Sequence, residues 1–477
     1  MYAEVFLARK FLRNARIAFV PGRTSEAEIM VTLTVPNVRQ EDKASSGWTL
    51  PITLLAALAI RMVVVALTYR TLPDADKHYE AFGWEMGWVA RALASGHGFS
   101  SPYYPWSGPT AMQPPLYPFL LSLVFRLFGI YTLTSAFIIL TINSLLSAIT
   151  CVPVYFSAKY SLGLRGARIS AWVWAFYPFA VYFSATRVWE YSVTCLLFTT
   201  CFCIAQRIHQ SARPLAWLGW GALFGVTALS NPTTLSTLPF LMALALFRAH
   251  QSGRRWLLNG ALTLLAAIAV LIPWTVRNYR ALGIVVPVRD NFWLEIYIDN
   301  FGNAYLDHSS PPTAGGRGYP ADSPEELHKY LTLGEPAYLA EKHTLAMYDL
   351  RHNPRFGFIA FKTLRRIVYY WTGYWSFSAA ELQDQPYEPW NVFYVSTVTV
   401  FMLLGIRSLW RAHRTACLPY LVLIGFFPLT YYITHPLMDY RQPIAPAIIV
   451  LGVAGVLSLG RKDSDAHAGK RLARESQ

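Results

Sequence analysis

Charge is scarce in this sequence. Only 14% of its 477 residues are charged, against 54% that are hydrophobic, where a soluble domain carries about 25% charged residues. The deficit excludes an ordinary soluble chain and points to one held largely within a bilayer. Cysteine is also rare, with five in all. Cys151, Cys195, Cys201, Cys203 and Cys417 lie within or beside apolar runs. Neither a disulfide framework nor a zinc pattern is readable from that placement. Cys201 and Cys203 point to different helix faces and read as packing residues. The first 49 residues lack the apolar core of a signal peptide. This polar, mixed-charge stretch reads either as a disordered cytoplasmic extension or as the product of an upstream start codon, with Met30 as the alternative start.

What the chain has in quantity is apolar sequence, in runs near the roughly 20 residues that span a bilayer. The runs are Leu50–Tyr69, Thr132–Tyr155, Ile169–Phe183, Val188–Ile208, Leu215–Leu229, Leu235–Phe247, Trp256–Trp274, Val392–Leu409, Cys417–Ile433 and Ile444–Leu459. Arg61, inside the first, either snorkels or pairs within the bundle. The net charge of +14 does not mark a nucleic-acid binder, because it is concentrated in short connections. Lys159, Arg165 and Arg168 form one group, Arg207 and Arg213 a second, Arg248, Arg254 and Arg255 a third, and Arg407, Arg411 and Arg414 a fourth. Alternation with loops poorer in Lys and Arg is the positive-inside pattern. It places both termini in the cytoplasm, including the basic tail 461–477.

Two hydrophilic segments are far longer than the usual connection of about 4–6 residues. They run from 70 to about 130 and from 276 to about 391, and counting spans puts both on the outer face. The domain reading is therefore an extension (1–49), an amino-terminal membrane module (50–275), a large outer segment (276–391), carboxy-terminal spans (392–460) and the tail. An alternating-access transporter would concentrate polar groups at mid-membrane between repeated halves, and no internal repeat is evident. Within the outer segments, Pro114–Gly129 and Pro354–Trp375 are apolar stretches that read as helices lying in the interface. The second carries Lys362, Arg365 and Arg366, and span parity disfavours its crossing the membrane.

The first outer segment has a recognisable order. An acidic residue after the first span is followed by ALASGHGFSSP, then PTAMQPPLYPFLLSLVFRLFG, then a helix beginning near Ser135. Further on come IPWTVRNYRALGIVVPVRDNFWLEIYIDN and DYRQPIAP. This pattern resembles the GT-C membrane glycosyltransferases, and within them the dolichyl-phosphate-mannose protein mannosyltransferase and aminoarabinose-transferase group. The resemblance covers about residues 50–460 and weakens between Gly302 and Tyr348. It implies an all-α polytopic GT-C bundle of about ten spans, with two extended extracytoplasmic segments bearing interfacial helices. It also implies a sugar passed from a polyprenyl-phosphate donor to a protein or lipid/glycan acceptor, usually with inversion.

Such chemistry needs a base for the acceptor and cations for the departing phosphate. By the family pattern the base is an acid shortly before the GxGF turn, here Gly96–Phe99, which selects Glu85. The commoner form has an Asp–Glu pair slightly earlier, so Asp74, Asp76 and Glu80 compete. Aromatic neighbours would desolvate Glu85 and raise its pKa toward useful basicity. Gly83 and Gly87, four apart on a helix, would leave one face open to substrate. Glu190, at the outer end of a span, is the second carboxylate, with a simple ion pair to Arg187 as the competing reading.

For the phosphate, Arg277 stands first, with Arg280, Arg289 and Arg441 as further candidates, because guanidinium forks match phosphate oxygens. Some relatives carry Lys before PPL, where this chain has Gln113. His78, His97, His308 and His435 read as solvated outer residues without metal-ligand spacing. No metal and no cofactor are expected. The reading is a glycosyltransferase of the bacterial inner membrane with its active site on the extracytoplasmic face. Its rival is a lipid-linked sugar flippase, which gives no reason for an outer Glu85 beside an arginine cluster.

Overall fold

A chain inside a bilayer must satisfy its own backbone, and helices do so within one segment. The computed structural model of the protein is helical through most of each apolar run. It describes residues 49–71, 82–103, 106–300, 319–321, 323–352, 356–377, 379–384 and 387–475. The chain divides into two units, Met1–Thr49 and Leu50–Gln477; all of the first except Thr49 lies outside the described residues.

Helix α1 (Thr49–Thr68) precedes two shorter helices of the first outer segment, α2 (Glu85–Ala94) and α3 (Leu116–Phe128). Then follow α4 (Leu133–Ile149), α5 (Cys151–Ala175), α6 (Pro178–Thr186), α7 (Tyr191–Ala205), α8 (Pro214–Ala228), α9 (Leu238–Gln251) and α10 (Trp256–Leu282). The second outer segment carries α11 (Phe292–Asn300), α12 (Pro324–Leu333), α13 (Glu335–His352), α14 (Phe356–Thr372) and α15 (Ala379–Asp384). The chain closes with α16 (Glu388–Ala412), α17 (Arg414–Phe426), α18 (Leu429–Ile433), a 3-10 turn over Met438–Ile444 and α19 (Ala445–Glu475). Among the described residues the only β pairing is an isolated bridge between Ser100 and Pro109.

Among the described residues six stretches are long and apolar enough to cross a membrane: Thr49–Thr68, Leu133–Ala175, Trp256–Leu282, Glu388–Ala412, Arg414–Ile433 and Met438–Gly460. Tyr191–Ala205 and Pro214–Ala228 are apolar but shorter, so the expected span at 188–208 is trimmed at both ends. The basic groups fall at breaks between helices. α5 breaks at Gly163 (φ 77°, ψ −172°), between Lys159 and Arg165. The arginine groups at 207–213, 248–255 and 411–414 flank the ends of α7, α9 and α16.

Lipid offers helices no hydrophobic reason to associate, so close packing and internal polar bonds hold them. α16 and α19 meet at glycines: a β-carbon on Gly405 would lie 1.7 Å from the Leu451 carbonyl oxygen, and one on Gly455 2.2 Å from that of Phe401. Arg61 pairs rather than snorkels. Fully buried in α1, its Nη1 donates to the carbonyls of Ala57 (2.9 Å) and Ala175 (2.7 Å), its Nη2 to that of Trp174 (3.4 Å) and its Nε to Ser147 Oγ (3.1 Å). Ala175 is the last residue of α5, whose terminal carbonyls lack helical donors; a guanidinium on a neighbouring helix caps it, and adds a second donor to the Trp174 carbonyl, which also accepts from the Tyr177 amide at 3.2 Å. All five cysteines are unpaired, four of them buried, in keeping with packing roles.

Candidate active site

Glu85 is the first residue of α2 and is 5% exposed. The turn before it puts Gly83 (φ 93°) and Trp84 (φ 56°) in left-handed backbone. The two glycines do not form an open helix face, because Gly83 precedes the helix. A β-carbon on Gly83 would sit 2.6 Å from the Val188 carbonyl oxygen, and one on Gly87 2.2 Å from that of Phe82. Small residues let this turn fold onto itself and press against the segment that leads to Glu190. Burial lifts the Glu85 carboxyl to about 7, opposed by backbone hydrogen bonding at the helix start, by the Tyr319 hydroxyl and by Arg289. A carboxylate so placed is a strong base by the standards of its type.

Glu190 precedes α7 and is 6% exposed. The chain between Thr186 and Tyr191 is not helical, so the three-residue spacing does not set Glu190 against Arg187. Glu190 Oε1 accepts from Asn231 Nδ2 at 3.4 Å instead, and Oε2 is buried without a hydrogen-bond partner. Arg187 lies over the Tyr182 ring, 5.9 Å from its centroid.

Arg289 connects the two carboxylates. Burial pulls its guanidinium down, but Glu295, Tyr319, Tyr440 and Glu190 together hold it above its ordinary value, and its charge also acts on Glu85. Arg289 Nη2 lies 3.5 Å from Glu295 Oε1 and its side chain is 32% exposed. Arg289 was one of the further phosphate candidates of the sequence reading, after Arg277.

Arg277 sits elsewhere. Its Nη1 donates to the Thr110 carbonyl (2.6 Å) and to Asn278 Oδ1 (2.9 Å), and its Nη2 to the Phe99 carbonyl. It also stacks over Phe99 and Trp274, so it clasps the first outer loop from the end of α10. Arg280 is exposed in the last turn of α10. Arg441 is 5% exposed, donates to Thr399 Oγ1 at 3.4 Å and lies over Trp371. Asp74, Asp76, Glu80, His78 and His308 lie outside the described residues.

The second outer segment holds the same loop from the other side. Glu335 Oε1 accepts from the Ala111 amide at 2.6 Å and Oε2 from Tyr330 Oη at 2.8 Å. Asp290, next to Arg289, is pushed up to about 8 by burial and then by Glu335, so these two carboxyl groups do not both ionise near neutrality.

Sequence reasoning missed a polar group beside Arg289. Glu295 and Asp299 lie one turn apart on α11, and His435 is 7% exposed rather than solvated. His435 Nδ1 lies 2.8 Å from Asp299 Oδ2 and 3.8 Å from Glu295 Oε2, and Nε2 lies 3.1 Å from Tyr440 Oη. Tyr191 Oη donates to Asp439 Oδ2 at 2.5 Å. The four-residue spacing of Glu295 and Asp299 was the available signal. Their meeting with His435 was not readable along the chain.

Residues 112–276 match the family model described as dolichyl-phosphate-mannose-protein mannosyltransferase. No curated protein matches the chain by sequence. Among solved structures the chain is similar to the archaeal oligosaccharyltransferase AglB from Archaeoglobus fulgidus in complex with an inhibitory peptide and a dolichol-phosphate. The TM-score is 0.53 at 15% identity, over 89% of this chain and 51% of that one. An Archaeoglobus fulgidus oligosaccharyltransferase tethered to an acceptor peptide aligns with a TM-score of 0.51 at 13% identity, over 87% and 49%. ArnT from Cupriavidus metallidurans bound to undecaprenyl phosphate aligns over 90% and 81% at 15% identity, with a TM-score of 0.35. The chain spans about half the length of the oligosaccharyltransferases it resembles. It is an integral membrane protein of the GT-C fold, whose residues 112–276 match the dolichyl-phosphate-mannose-protein mannosyltransferase family.

Proposed function

We propose that this protein is a glycosyltransferase that moves a sugar from a polyprenyl-phosphate carrier to a protein or lipid/glycan acceptor. The observation that carries the proposal is that Glu85 and Glu190, far apart in sequence, are both buried carboxyl groups on which the charge of Arg289 acts. A flippase needs no base for an acceptor hydroxyl, a task that Glu85, raised to about 7 by burial, can perform. The family match over 112–276 and the dolichol-phosphate and peptide named with the structural relatives support the same donor class and a peptide acceptor.

In this reading Glu85 removes the proton from the acceptor hydroxyl as that oxygen attacks the anomeric carbon. The carbon–oxygen bond to phosphate breaks on the opposite face, and polyprenyl phosphate leaves with its electron pair. Arg289 meets the negative charge that builds on the departing phosphate, and Glu190 with Asn231 orients the acceptor. Arg441 and Arg280 remain secondary donor candidates. The basic-loop pattern supports about ten spans and an extracytoplasmic site in a bacterial inner membrane.

The experiment is intact-mass analysis of lipids and glycoproteins from a strain lacking the gene. Loss should remove one defined sugar increment and build up the polyprenyl-phosphate sugar. Wild-type protein should restore the increment, and Glu85→Gln should not. An unchanged mass profile in the deletion strain would sink the reading.

A further inference from the structure

The group at Glu295, Asp299 and His435 has the makings of a cation site. One ligand atom from each residue lies within 4.8 Å of the other two. Glu295 and Asp299 stand on one face of α11, a turn apart, and His435 reaches them from the connection between α18 and the last span. The second shell is already in place. Asn291 Nδ2 bonds Glu295 Oε1 at 2.6 Å, which leaves Oε2 as the oxygen turned toward His435. Tyr440 Oη engages His435 Nε2, which aims Nδ1 at the two carboxylates; ligating histidines are commonly oriented this way.

The independent sign of a ligand is Asp299. It is 1% exposed, and its Oδ1 has no hydrogen-bond partner. A buried carboxylate oxygen left alone is costly. Arg366 donates to the Asp299 main-chain carbonyl (2.7 Å) and to Asn300 Oδ1 (3.0 Å), Lys362 approaches the same carbonyl at 3.5 Å, and His435 Nδ1 meets Oδ2, which leaves Oδ1 without a hydrogen bond.

We propose that Glu295, Asp299 and His435 bind one divalent cation of the zinc or manganese class. One imidazole nitrogen and two carboxylate oxygens suit such ions. Metal–ligand bonds of about 2.0–2.2 Å need donors roughly 3–3.5 Å apart, and the observed 2.8 and 3.8 Å bracket that spacing. Three protein ligands leave a coordination position open. The cation pins α11 to the segment entering the last span and adds positive charge next to Glu295, the partner of Arg289.

The test uses the full-length protein purified in detergent, stripped with chelator and titrated separately with zinc and manganese. Metal content and calorimetry are the readouts, so the result does not depend on any transferase assay. One ion per chain is expected, with His435→Gln and Asp299→Asn weaker by at least about 10- to 100-fold. Tyr440→Phe, which keeps the ring packing, should weaken binding to a smaller degree, and His97→Gln should bind as wild type. X-ray absorption at the zinc edge should report nitrogen and oxygen ligands. Failure of both zinc and manganese to bind the titrated wild-type protein overturns the proposal. So does undiminished binding by both ligand variants, or a sulfur-ligated ion.

Discussion

Arg277 Nη1 donates to the carbonyl oxygen of Thr110 at 2.6 Å. A guanidinium committed to the first outer loop is poorly placed to clasp a lipid phosphate. Arg277→Ala should therefore lower stability by about 3–6 kcal/mol, from the two charge-assisted bonds to the loop carbonyls of Thr110 and Phe99. A thermal-shift assay in detergent would read the loss, while donor use per folded molecule stays close to wild type. Arg289→Ala should do the reverse: normal melting, with turnover reduced by about 100-fold or more. If Arg277→Ala melts normally and loses donor use, the phosphate cation is Arg277 after all.

Glu85→Gln keeps shape and hydrogen bonding but cannot take a proton. Transfer should fall by about 100- to 10,000-fold, with insertion and donor binding retained. Asp76→Asn is the matched control and should be tolerated. Loss of transfer in Asp76→Asn with normal rates in Glu85→Gln would move the base to Asp76.

The same carboxyl sets a pH dependence. Its pKa is raised to about 7 by burial, and only the deprotonated form accepts a proton. Activity should rise with pH through about 7 and then level off, measured as kcat/KM between about pH 5.5 and 8.5. A profile flat across that range would remove Glu85 from the rate-determining proton transfer.

Arg61→Met tests the cap inside the bundle. A methionine fills the space but removes the side-chain donor to the Ala175 carbonyl, at about 1–3 kcal/mol for a buried acceptor left unpaired; the Trp174 carbonyl keeps the Tyr177 amide. Yield of folded protein should drop, and turnover per folded molecule should not. Equal yield would mean that other donors replace the guanidinium.

Reporter fusions test topology. Fusions after Ser309 should read as outside and those after Arg411 as inside. Both on one side would mean that the α14 region crosses the membrane instead of lying along it.

The sequence by itself determined the helices, because a run of apolar residues in lipid has few other ways to pair its backbone. It also determined where they break, since the arginine groups and Gly163 interrupt the apolar pattern locally. The short α3 helix and the GxGF turn were legible for the same local reason. Only the tertiary structure decided which charges meet. Whether Arg277 or Arg289 faces Glu85 depends on how the loop around Thr110 folds against α10, and linear order carries no trace of that. His435 looked solvated because nothing near it in sequence is acidic except Asp439; packing of α11 against the α18 connection brings Asp299 to 2.8 Å from its ring. Helix formation is a matter of neighbours along the chain. The site is a matter of long-range distances between charges, and those are fixed only when the helices have packed.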